Sequence, residues 1–187
     1  MGDEVQSKDL ALKAQKKILG KMASKNLTKM LIDEKTADIL DEFCKINKLR
    51  TGNKKETEKL VKNLIKVMIK VAVLQRNDQF TCDELKLADK MQQKTKMTAM
   101  TIVSFYEVDF TFDKYVLSKQ INEQRAILQQ LVASHLTPKS KDRINSVFDA
   151  LGDTEFLESL FEPDSKYRPH LSKIALRLNE LIDEGVL

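Results

Sequence analysis

Residues 53–77, NKKETEKLVKNLIKVMIKVAVLQRN, decide the fold. Read at the 3.6-residue period of a helix, Lys59, Lys62, Lys66 and Lys70 fall on one narrow strip. Leu60, Val61, Leu64, Ile65, Val67, Met68, Ile69, Val71, Val73 and Leu74 cover almost all the remaining surface. A helix apolar around most of its girth has to pack on several sides, so this one is expected at the centre of a helical bundle. Asn53 followed three residues later by Glu56 predicts a capping box at its start. Its apolar run, Leu60 to Leu74, contains Lys62, Lys66 and Lys70 and is too short and too charged to cross a bilayer.

Working outward, every long segment carries the same period and none sustains the alternation of a strand. With 5 glycines and 3 prolines there is little material for the turns of an all-β fold. Upstream, Thr36 is expected to cap a helix whose stripe is Ile39, Phe43, Ile46 and Leu49, ended by Gly52. Downstream, a helix from Thr81 or Asp83 to about Tyr106 presents Leu87, Met91, Thr95, Thr98, Ile102 and Phe105. A connector at 108–112 follows, with Thr111 capping a helix that carries Val116, Leu117, Ile121, Ile127, Leu128, Leu131 and Val132. Thr137-Pro138 reads as cap plus first-turn proline, and Ile144, Val147, Phe148 and Leu151 face inward before Gly152. A short helix over 154–161 and a last one opened by Pro169 and stopped by Gly185 complete the chain.

The opening of the chain differs. Residues 10–32 hold six lysines (13, 16, 17, 21, 25 and 29) and no acid, against a net charge of +4 for the whole sequence. On a wheel Leu10, Ala14, Ile18, Leu19 and Met22 oppose Lys13, Lys16, Lys17 and Lys21, the pattern of a basic amphipathic helix. Residues 1–30 are therefore read as a basic helix with a hinge, and 31–187 as the bundle domain. With Asp3 and Glu4 and no apolar run at the start, no secretion signal is expected, and Gln6 breaks the myristoylation pattern begun by Gly2. The net charge is too small for a nucleic-acid binder. Cys44 and Cys82 stand far apart with no local partner, which reads as two free thiols in a reducing, cytoplasmic setting.

Catalytic constellations are missing: there is no phosphate-cradling glycine loop, no G-x-S-x-G elbow and no H-E-x-x-H. His135 and His170 sit at helix ends, and Asp41-Glu42 and Asp83-Glu84 at helix starts or on solvent faces. Those positions suit helix dipoles better than acid–base work. No metal or cofactor is expected, and the reading is a protein that binds and is not an enzyme.

Residues 14–25 (AQKKILGKMASK), 31–43 (LIDEKTADILDEF), 53–77, 99–114 (AMTIVSFYEVDFTFDK), 135–149 (HLTPKSKDRINSVFD) and 169–171 (PHL) together resemble the tumour necrosis factor-alpha-induced protein 8 family. Departures in detail from the vertebrate members suggest an invertebrate relative. The resemblance implies an all-α fold: an antiparallel bundle of about six to seven helices around a central hydrophobic cavity, preceded by the basic amphipathic helix. It implies phosphoinositide or other phospholipid as ligand, reversible attachment to an anionic membrane surface, and effects on cell death, survival and signalling.

By the same resemblance, head-group contacts fall to Lys16, Lys17 and Arg76. A further basic position is Gln92 here, where Lys90 and Lys94 can substitute. Val67, Met68, Val71, Ile102 and Leu128 are the expected cavity walls. The alternative reading is an adaptor that contacts small GTPases, death-pathway components or cytoskeletal surfaces through its lysine faces.

Overall fold

The computed structural model describes residues 33–187 and, ahead of them, Asp9, Leu12 and Lys13. The expected N-terminal basic helix thus lies, but for those three positions, outside the described residues. From Asp33 onward there are seven α-helices and one 3-10 turn, and among the described residues no strand. The all-helical reading holds. The chain forms two compact units that divide between Gln79 and Phe80.

In the first unit, α1 (Glu34–Thr51) and α2 (Lys54–Arg76) form a hairpin. The cap of α1 is Asp33, three residues before the expected Thr36. Its carboxylate accepts from the Thr36 amide at 2.9 Å and the Thr36 hydroxyl at 2.7 Å, which draws Thr36 into the first turn. Gly52 ends α1 in the left-handed region (φ 63°), where an L side chain is strained. Asn53 opens α2 as expected, accepting from the amides of Lys55 and Glu56. The two helices meet through Ala37, Leu40 and Cys44 on α1 and Val61, Ile65 and Ile69 on α2. Of the expected α1 stripe, Ile46 is buried, Ile39 and Phe43 are half-buried with Phe43 packed at the margin of this core, and Leu49 is 41% exposed. Small residues let helix backbones approach, and a wheel weighted by large side chains passes over Ala37 and Cys44.

The second unit contains α3 (Cys82–Glu107), a 3-10 turn (Asp109–Thr111), α4 (Lys114–Leu131), α5 (Pro138–Leu151), α6 (Thr154–Phe161) and α7 (Arg168–Asp183). Here α3 packs against α4 and α7, α4 against α5 and α6, and α6 against α7. Its core joins Phe105, Leu117, Ile121, Leu157, Phe161 and Leu171. Phe112 stacks on Phe161 at 4.7 Å, and Phe105 stands edge-on to Phe112 at 5.5 Å. Burying side chains of this size contributes roughly 1.5–3 kcal/mol each.

The cap of α4 is Asp113 and not Thr111; its side chain accepts from the amides of Tyr115 (2.8 Å) and Val116 (3.1 Å). The Thr111 hydroxyl instead donates to the Val108 carbonyl at 2.7 Å, holding the 3-10 turn. Val116 falls in the first turn of α4 and is 43% exposed. Both cysteines are free, Cys44 buried and Cys82 exposed, and burial pushes the Cys44 thiol up.

Candidate functional site

On α2, Thr57, Val61, Ile65 and Ile69 are buried, and the last three make the seam with α1. Leu60, Val67, Val71 and Leu74 form a second apolar strip, turned from the first by roughly a third of the circumference at 3.6 residues per turn. Val67 is 7% exposed, while Met68 and Val71 are half-buried. The lysines keep to a strip of their own, where Lys62 pairs with Glu58 at 3.1 Å. Of the five expected cavity residues, Val67 and Val71 therefore lie on this second α2 strip, whereas Met68 falls within the arc of the α1 seam. Arg76 is the exposed last residue of the same helix. The helix stops there, where the Asn77 side chain donates to the Val73 carbonyl at 2.7 Å and Asp78 turns left-handed (φ 51°). A cation at this end also complements the helix dipole.

The other expected positions belong to the second unit. Ile102 packs at the edge of the aromatic core, and Leu128 is buried on α4. Lys90 and Lys94 stand one turn apart on α3, the first exposed and the second half-buried. Lys94 reaches across to Glu123 on α4 at 2.6 Å, and this contact holds the Glu123 carboxyl below its usual range. Of the two substitutes for the basic position at Gln92, Lys90 is the more accessible. Lys16 and Lys17 lie outside the described residues.

A polar seam between α3 and α4 escaped the sequence reading. Thr95 donates to Gln124 Oε1 at 3.1 Å, Gln124 Nε2 to Thr98 at 2.8 Å, and Gln120 Nε2 to Thr101 at 3.1 Å. Gln124 and Thr98 are both buried. The threonine spacing was visible on the wheel, but helical periodicity says nothing about which residues on α4 stand opposite.

A second unread cluster surrounds Glu84. It closes a capping box with Thr81, and its Oε1 accepts from Ser134 Oγ and lies 3.0 Å from His135 Nε2. His135 also stands edge-on to Phe80 at 5.5 Å. This is a structural use of His135, as its helix-end position suggested. A third cluster centres on Arg168, whose guanidinium donates to the Tyr106 carbonyl and to Asp109 Oδ1, both at 2.8 Å, while lying 4.3 Å over the Tyr106 ring. It fixes the corner between α3 and α4. Among the described residues no group of three or more His, Cys, Asp or Glu could hold a metal ion, and no helix is long and apolar enough to cross a membrane.

The family model "Tumor necrosis factor alpha-induced protein 8-like" matches residues 5–185. This chain belongs to that family. Bovine tumor necrosis factor alpha-induced protein 8 is 52% identical over 182 residues, 97% of this chain and 92% of the relative. Zebrafish tumor necrosis factor, alpha-induced protein 8-like protein 2 B is 50% identical, with 97% of each chain covered. Among solved structures, the C-terminal region of G-protein interacting protein 1 from Dictyostelium discoideum superposes with a TM-score of 0.68, covering 84% of this chain and 96% of that one. At 21% identity that likeness speaks for the all-helical fold and for nothing more.

Proposed function

We propose that this protein is a non-enzymatic lipid carrier or presenter. In this reading it takes a phosphoinositide, or another phospholipid with an anionic head group, from a membrane surface and holds it by its acyl chains. The observation that carries the reading is α2. Its apolar surface is wider than the seam formed by Val61, Ile65 and Ile69, with Val67 and Val71 on a second strip, and the helix ends in an exposed arginine. An acyl chain needs an apolar wall, and a phosphate needs cationic hydrogen-bond donors at the mouth, for which a guanidinium is best shaped. Val67, Met68, Val71, Ile102 and Leu128 are the proposed walls. Arg76, Lys90 and the N-terminal Lys16 and Lys17 are the proposed head-group contacts, with Lys94 available on release from Glu123. Family membership supports a role in cell death, survival and signalling, exercised from the cytoplasm with reversible membrane attachment.

One observation favours the adaptor reading instead. Phe110 is 91% exposed on the corner that Arg168 holds rigid, with Tyr115 69% exposed beside it in sequence. Exposed aromatics on a fixed backbone are typical anchors of protein contacts.

Native mass spectrometry of the purified full chain, followed by organic extraction, separates the two. Co-purified phospholipid supports the carrier. A lipid-free protein that fails to take up phosphoinositide from vesicles rejects it and leaves the adaptor. Arg76→Lys sharpens the head-group assignment: a helix-dipole partner tolerates the exchange, whereas a bidentate phosphate contact does not. Several-fold weaker calorimetric binding of a short-chain phosphoinositide, at unchanged melting temperature, is the expected result.

A further inference from the structure

The turn end of the α1–α2 hairpin carries a concentration of charge that the carrier reading does not use. Residues 45–59 hold six cations and two acids, whereas residues 33–44 hold one cation and five acids. Lys48, Lys54, Lys55 and Lys59 are exposed there, and among them Leu49 is 41% exposed. The turn is well fixed. The Gly52 amide donates to the Lys48 carbonyl at 2.9 Å, the Thr51 hydroxyl to the Asn47 carbonyl at 3.0 Å, and the Asn53 amide to the Thr51 hydroxyl at 3.1 Å.

Two of these lysines break a local rule. Lys54 and Lys55 occupy the first turn of α2, where the positive end of the helix dipole disfavours cations. The dipole explains Lys48 and Arg50 at the end of α1, but it opposes Lys54 and Lys55. Arg76 lies at the far end of the same helix, roughly 33 Å away at 1.5 Å per residue, so the tip and the proposed head-group contact are separate places.

We propose that this tip is a second membrane-contact point, which rests on an anionic bilayer by charge and sets Leu49 among the lipid head groups. A lone aliphatic side chain ringed by lysines fits a fluid anionic surface, which requires no matching pocket. The tip has no aromatic side chain on which a nucleic-acid base could stack. Contact of this kind selects for surface charge and not for a particular head group.

The test uses the full chain and vesicles of phosphatidylcholine doped with phosphatidylserine, free of phosphoinositide. Each lysine near such a surface supports binding by a factor of about five, so reversing Lys55 and Lys59 to Glu should weaken co-sedimentation by tenfold or more. The same double variant should melt no lower than wild type, because an acid at position 55 suits the helix dipole. Its calorimetric affinity for a short-chain phosphoinositide should be unchanged, which separates failure of the tip from failure of the carrier reading. Lys119→Glu with Lys139→Glu, an equal reversal on exposed residues of the second unit, is the control and should cost far less. Leu49→Ala should remove the part of vesicle binding that survives high salt. Vesicle binding equal to wild type in the tip variant overturns the proposal, as does an equal loss in the control. Loss of heparin binding with vesicle binding intact makes the tip a polyanion site and likewise overturns it.

Discussion

Glu84 shows how much one carboxylate can organise. It accepts the Thr81 amide at 2.9 Å as part of the α3 cap, and it meets Ser134 and His135 from the turn that follows α4. The backbone hydrogen bond from Thr81, then the hydrogen bond with His135, lower its carboxyl from 4.5 to about 2. A folded-state value below the unfolded one means that the ionised group favours folding. That contribution is complete above 4.5 and fades as the pH falls towards about 2. Glu84→Gln should therefore lower the melting temperature at neutral pH. The gap to wild type should close across that acidic window. Thermal unfolding followed by circular dichroism over a pH series checks this, and a gap that stays constant to the acid end rules out the linkage. The capping half of the arrangement is legible as Thr81 followed by Glu84. The other half is not, because His135 is 51 positions away and nothing local pairs it with Glu84.

At the scale of elements, the α3–α4 contact is decided by polar groups as much as by apolar ones. Gln124 lies buried with Thr98 donated to by its amide, and Thr95 and Gln120 continue the ladder on either side. A buried amide without its acceptor loses water and gains nothing in exchange. Thr98→Val should destabilise by about 1–3 kcal/mol in denaturant unfolding, by leaving the Gln124 amide poorly paired. Adding Gln124→Leu to it should cost less than the sum of the single changes, since the stranded group goes with it. Additive effects would mean that the seam is not a coupled unit.

Helix ends show a related limit. Asp33 and Thr36, and again Thr111 and Asp113, are both able to cap, and in each pair the aspartate does so. Choosing between them depends on where the chain turns, and the turn is set by packing.

For the molecule as a whole, basic charge is gathered at the N-terminal segment and at the hairpin tip. Lys16 and Lys17 lie on the polar arc of the expected first helix, so they should act on membrane engagement and not on folding. Changing both to Ala should leave the melting temperature nearly unmoved, since exposed substitutions rarely exceed about 0.5 kcal/mol. Binding to phosphoinositide-bearing vesicles should weaken, and wild-type binding should fall as salt rises. Flotation assays across a salt series test both points; undiminished binding by the double variant would confine that segment to a structural role.

The sequence by itself determined the helical class, the position of nearly every helix, the free cysteines and the family. Each of these rests on local periodicity, on punctuation by Gly52, Pro138 and Gly152, or on contiguous strings such as SFYEVDFTF. Only the tertiary structure decided that Ala37 and Cys44, not Leu49, seat α1 on α2. The same holds for the choice of Gln124 as partner of Thr98, and of Arg168 to fasten the corner at Asp109. The reason is physical: periodicity tells which face of a helix avoids water, while the partner of that face depends on crossing geometry. That geometry is set by the sum of many weak contacts between residues distant in the chain.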